Sequence, residues 1–171
     1  MMKFRFDANQ QYQREAIDAV VGLFESQTLS AGDYEVSLNP LLESSGQALI
    51  QNELGYGNRL VIDDATLNKN LKTIQKKNNI YSNDDISTKA KNFTVEMETG
   101  TGKTYVYLRT IFELNKKYGF RKFIIVVPSI AIREGVLKSI EITLEHFKNL
   151  YNNVPFTYFV YDSKRVSQLR S

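Results

Sequence analysis

A chain of 171 residues, 42% hydrophobic and 24% charged, has ordinary globular composition, enough for one sizeable core or one core with a small appendage. It holds no cysteine and a single histidine, which excludes a disulfide framework, a thiolate metal site and a multi-histidine centre. The net charge of +3 divides into −3 over residues 1–90 and +6 over residues 91–171, so the second half is the one suited to polyanionic partners.

The opening MMKFRFDANQ is polar and lacks the apolar run of a signal peptide, and no stretch of about 18 apolar residues exists to span a bilayer. A soluble, reducing, cytoplasmic setting without a membrane partner is the simplest reading. Residues 9–26 place Ala16, Ile17, Val20, Val21, Leu23 and Phe24 at helical spacing, with Arg14, Glu15, Asp18 and Glu25 for the wet face. Residues 27–90 are rich in Asn, Ser, Gly and Asp, with apolar residues in short groups. A structureless loop of that length is improbable in a compact domain. The stretch reads as an insertion, a small β-rich subdomain with short strands near 34–38, 47–51 and 58–63 and a helix over 65–77.

From residue 91 the pattern becomes regular. NFTVEM is a short strand, followed by a glycine-containing turn and a helix over about 103–117. KFIIVV at 122–127 is a continuous apolar run ended by Pro128, as expected of a strand buried on both faces. A helix over about 130–149 carries Ile132, Val136, Leu137, Ile140, Leu144 and Phe147 on one stripe, with Gly135 inside it at some cost; His146 on this helix reads as a surface or packing residue. A last strand is expected near 155–161. This order implies right-handed crossovers and an α/β fold built on a parallel sheet with flanking helices.

The stretch TVEMETGTGKTYVYL joins strand, turn and helix around Thr99-Gly100-Thr101-Gly102-Lys103-Thr104. Glycines at 100 and 102 let backbone N–H groups approach phosphate oxygens without a Cβ in the way. A helix opening at Lys103 adds unpaired N–H donors and the positive end of its dipole. Lys103 is placed to reach the β- and γ-phosphates of ATP, and the Thr104 hydroxyl to ligate Mg²⁺. Counting back from Gly102 puts Met97 where the full G-x-x-x-x-G-K-[ST] pattern has its first glycine, so that pattern is incomplete.

The words METGTGKTYVYLRTIFEL at 97–114, FIIVVPSIAIREGVLKSIEITLEHF at 123–147 and YQREAI at 12–17 resemble the superfamily 2 helicase-like motors. The resemblance is closer to the restriction (Res) subunit of Type III restriction-modification enzymes, and NPLLESSGQALIQNELGYGN resembles the insertion that those subunits carry. It implies a P-loop NTPase (RecA-like) fold in which the first glycine of the loop is often replaced, divided here into residues 1–26, the insertion 27–90 and the first part of the motor domain at 91–171. It also implies that Gln13 reads the adenine edge, and that Ser129 and Arg133 touch the nucleic-acid backbone. The parent activity it implies is ATP-dependent DNA translocation coupled to endonucleolytic cleavage, with a modification methyltransferase subunit as partner. The later Asp-Glu box, the arginines of a second motor domain and a nuclease domain do not follow position 147, so the domain is expected to be incomplete at its C-terminus, binding ATP with turnover near background. A different superfamily 2 helicase, or a nucleic-acid-binding module with a vestigial loop, stays open at this point. RLVIDD at 59–64 imitates a metal-binding strand end but precedes the loop, so Asp63 and Asp64 read as a turn or helix cap.

Overall fold

The computed structural model describes residues 6–28, 58–81 and 91–161. Among them are four helices: α1 (Gln11–Gly22), α2 (Asp64–Lys77), α3 (Lys103–Tyr118) and α4 (Ile130–Leu150). α3 is the centre of the arrangement, with α1 on one side, α4 on another, and α2 laid on α1.

Each helix begins and ends where local chemistry dictates. α2 starts at Asp63, whose Oδ1 accepts from Thr66 N at 2.8 Å, and α4 starts at Ser129, whose Oγ accepts from Ile132 N at 3.3 Å. Asp63 is therefore the helix cap that its position suggested, and Asp64 pairs with Lys91 at 2.8 Å. The Thr66 bonds hold the Asp63 carboxyl below its ordinary value. α3 ends at Gly119, which takes the left-handed conformation (φ 72°) and donates to Asn115 O at 2.8 Å.

Two apolar clusters flank α3. Ile17 and Val21 of α1 meet Val106, Leu114 and Tyr118 of α3 together with Phe120; Tyr105 and Leu108 on another face of α3 meet Phe147 and Tyr151. Burying aliphatic and aromatic side chains of this size contributes roughly 1.5–3 kcal/mol each. Tyr118, 2% exposed, also donates from Oη to Val21 O at 2.9 Å, joining α3 to α1. Asn70 fixes α2 to the end of α1 by donating to Leu23 O and Glu25 O at 3.0 and 2.9 Å.

No strand occurs among the described residues, so the runs expected as strands at 92–97, 122–127 and 155–161 are not joined in a sheet there. The run 122–127 is covered on one face only. Phe123 packs on the first cluster, whereas Ile124 and Val126 are 91% and 86% exposed. That alternation is the one an extended chain imposes, and covering the second face takes a layer on the other side. The expectation of burial on both faces is corrected accordingly.

The strand expected at 58–63 is also replaced, and the reason is visible. Its main chain pairs with side-chain amides: Gln27 accepts from Val61 N at 2.9 Å and donates to Arg59 O at 3.0 Å. Asn58 in turn accepts from Arg121 N and Lys122 N at 2.8 and 3.1 Å and donates to Lys122 O at 2.6 Å. With these groups already satisfied, the segment has little to offer a ladder. The strands expected at 34–38 and 47–51 lie outside the described residues.

Candidate phosphate-binding loop

The loop is built from two left-handed glycines and a helix start. Gly100 has φ 82° and Gly102 φ 84°, a region that costs an L-residue about 1–2 kcal/mol. Gly102 caps α3 without a side-chain hydrogen bond, and the first helical bond runs from Val106 N to Gly102 O at 3.0 Å. The N–H groups of Lys103, Thr104 and Tyr105 therefore precede the first intrahelical bond, the arrangement that makes a helix N-terminus an anion site.

Three bonds fix the turn. Glu98 O accepts from Thr101 Oγ1 at 2.7 Å and from Lys103 Nζ at 2.6 Å, which holds the ammonium against the loop's own main chain. Gln13, 8% exposed on α1, donates from Nε2 to Thr101 O at 2.9 Å. A Cβ added to Gly102 would lie 2.7 Å from that same nitrogen. Met97, at the position of the first glycine of the full pattern, packs its side chain against the first core cluster. Its residue type serves the core beneath the loop.

The other candidate residues divide. Gln13, Thr101, Gly102 and Lys103 are brought together at the loop, with Gly100 in the turn and Thr104 half-buried in the first turn of α3. Thr99 is exposed in the same turn. Gln13 commits its amide donor to the loop's main chain, a bond that adenine reading alone did not suggest. Ser129 and Arg133 share the start of α4, where Ser129 caps the helix and Arg133 donates through Nε and Nη2 to Glu134 at 3.1 and 2.9 Å. Among the described residues no hydrogen bond joins that pair to the loop.

Just beyond the loop, Tyr105 Oη and His146 Nε2 share a hydrogen bond of 2.9 Å, with the Phe6 ring 5.3 Å from the imidazole. Burial, and then the Arg109 guanidinium, push the His146 pKa below its ordinary value. Arg109 donates to Ala8 O at 2.5 Å and lies 3.7 Å from Glu113, which accepts from Tyr151 Oη at 2.7 Å. Burial and the neighbouring Glu113 raise the Tyr151 pKa. Sequence reading missed this set because its members are spread over residues 6–151. A cleft of about 820 Å³ opens between α1, α2 and residues 92–98, with Tyr12, Glu15, Glu98 and Thr101 on its wall. No helix among the described residues is long and apolar enough to cross a membrane.

Comparison with known proteins follows the same loop and helices. The family model described as Type III restriction enzyme, res subunit, matches residues 8–166. The chain is 36% identical over 172 residues to the Type III restriction-modification enzyme EcoP15I Res subunit of Escherichia coli, an alignment covering 96% of this chain and 16% of that protein. It is 34% identical over 169 residues to the EcoPI Res subunit of Escherichia phage P1, again covering 96% and 16%. A shorter match, 52% identical over 64 residues, covers 36% of this chain and 6% of the StyLTI Res subunit of Salmonella typhimurium. The chain thus spans 16% of the length of the first two relatives.

Proposed function

The chain belongs to the Type III restriction enzyme Res-subunit family, and from that membership we propose that it forms the ATP-phosphate-binding part of a DNA-translocating restriction motor. The observation that carries this reading is the turn itself: two glycines at positive φ, an α3 N-terminus without a side-chain cap, and the Lys103 ammonium 2.6 Å from Glu98 O within the same loop. N–H donors, dipole and a mobile cation converge where a triphosphate needs them. Thr104 is the residue suited to hold Mg²⁺, whose role when bound is to neutralise charge between the β- and γ-phosphates. Gln13 orients the loop through Thr101 O and keeps its amide oxygen for the adenine edge.

In the longer protein this part would serve ATP-dependent translocation and endonucleolytic cleavage of DNA in the cytoplasm, beside a modification methyltransferase subunit. Ser129 and Arg133 would meet the nucleic-acid backbone there, and the runs 92–97, 122–127 and 155–161 would pair as strands of a RecA-like sheet. A calorimetric titration of the chain with ATP and Mg²⁺ tests the nucleotide reading. Binding that Lys103→Ala weakens at least tenfold is the expected result. Equal binding by both proteins, or none by either, would overturn it.

A further inference from the structure

α2 stands out against the charge of its surroundings. Residues 1–90 carry net −3, yet 65–81 contain four lysines and no acidic residue. Lys69, Lys72, Lys76 and Lys77 are all exposed, and at helical spacing they share the face opposite Leu67, Leu71 and Ile74, which turn toward α1. Ion pairs among the described residues are made by Lys91, Arg109, Lys117, Arg133 and Lys138; Lys69, Lys76 and Lys77 make none. The ordinary reason for lysines on a helix is its C-terminal dipole, and that accounts for Lys76 and Lys77 in the last turn. Lys69 and Lys72 lie in the middle of α2, where the dipole offers them nothing. The stripe ends near Tyr81, 89% exposed, so an aromatic face stands open to solvent beside the cations.

We infer that the exposed face of α2 is a nucleic-acid interface whose lysines bind the phosphate backbone. The inference rests on the reading that the protein acts on DNA, and assigns that partner to a surface other than the start of α4. From Lys69 to Lys77 the helix rises about 12 Å, a length over which duplex DNA presents about seven phosphates. Lysine contacts of this kind hold the duplex without reading its sequence. Asn70 clamps α2 to α1, and α1 carries Gln13 against the phosphate loop. The stripe is thereby mounted on the same rigid pair of elements as the loop.

The test is fluorescence anisotropy of a labelled DNA duplex across a salt series, for the unmodified chain, for Lys69→Gln/Lys76→Gln/Lys77→Gln, and for Lys116→Gln/Lys138→Gln/Lys148→Gln. The two variants lose the same charge, and ATP titration of each reports the fold and the loop independently. The α2 variant is expected to lose at least tenfold in affinity, and its log–log salt slope to fall by about two to three, near 0.9 per phosphate released. The control variant should keep most of both. Equal loss in the two variants means attraction by net charge alone and overturns the inference. So does polyglutamate competing as well as DNA at equal charge, which would make the stripe a site for acidic polypeptide. Absence of DNA binding by a chain that still binds ATP ends this inference and leaves the nucleotide reading standing, whereas loss of ATP binding alone would strike only the latter.

Discussion

The amide nitrogen of Gln13 lies 2.9 Å from Thr101 O and only 2.7 Å from the point where a Cβ on residue 102 would sit. A helix eighty-eight residues upstream thus closes directly over the glycine that opens α3. The contact makes residue 102 doubly restricted, by its φ of 84° and by its neighbour.

Gly102→Ala should therefore cost more than Gly100→Ala. Both substitutions place a side chain at positive φ, at about 1–2 kcal/mol, but a Cβ at residue 100 meets nothing within 4 Å. Titration with ATP and Mg²⁺ should show Gly102→Ala losing the greater share of affinity. Equal affinities for the two variants would show that the Gln13 contact does not constrain the loop.

Removing the Gln13 amide should weaken nucleotide binding about fivefold, the equivalent of one hydrogen bond of about 1 kcal/mol. Tripolyphosphate separates the two roles of this residue. If Gln13 shapes the loop, Gln13→Ala weakens binding of tripolyphosphate as well as ATP. Loss confined to ATP would assign the side chain to the base alone.

Two substitutions test the packing apart from the site. Tyr118→Phe deletes the bond from a 2% exposed ring to Val21 O and should lower stability by about 1 kcal/mol, or about 2–4 °C in Tm. Gly135→Ala should act in the opposite sense, raising stability by up to about 1 kcal/mol, because the position is an exposed helix interior where a Cβ meets nothing within 4 Å. Thermal unfolding by circular dichroism reads both; a stabilised Tyr118→Phe or a destabilised Gly135→Ala would contradict the packing described.

His146 gives the protein a pH response of defined sign. Its folded pKa lies below the ordinary 6.5, through burial and the charge of Arg109, so the unfolded chain takes up the proton first. The corresponding stability is present above pH 6.5 and is lost as pH falls through that value toward the lowered one. His146→Gln should flatten this limb of a stability–pH profile between about pH 7 and 5. An unchanged slope in the variant would show that the imidazole is not what titrates.

The parts of the fold that are local in sequence were legible there. The spacing of Ile17, Val20 and Val21, of Leu67, Leu71 and Ile74, and of Val136, Ile140 and Phe147 marks helices that the structure contains. Gly100, Gly102 and Lys103 announced the turn before α3. What could not be read is carried by distant side-chain–main-chain pairs: Gln27 to Arg59 and Val61, Asn58 to Arg121 and Lys122, Arg109 to Ala8. Such bonds join segments 32 to 101 residues apart and leave no period behind them. The same holds for the apolar run 122–127, where alternation shows a strand-like segment but its partners are set by tertiary pairing.

The central claim is that main-chain amides of the loop hold the phosphates. At 19.7 kDa the chain suits amide-resolved NMR, and titration with ATP and Mg²⁺ observes those groups directly. The account predicts saturable shifts of the Gly100, Gly102, Lys103 and Thr104 amides at one common affinity, with Gly135 on α4 unmoved. Binding that leaves these four signals in place, or shifts only residues away from them, would contradict it.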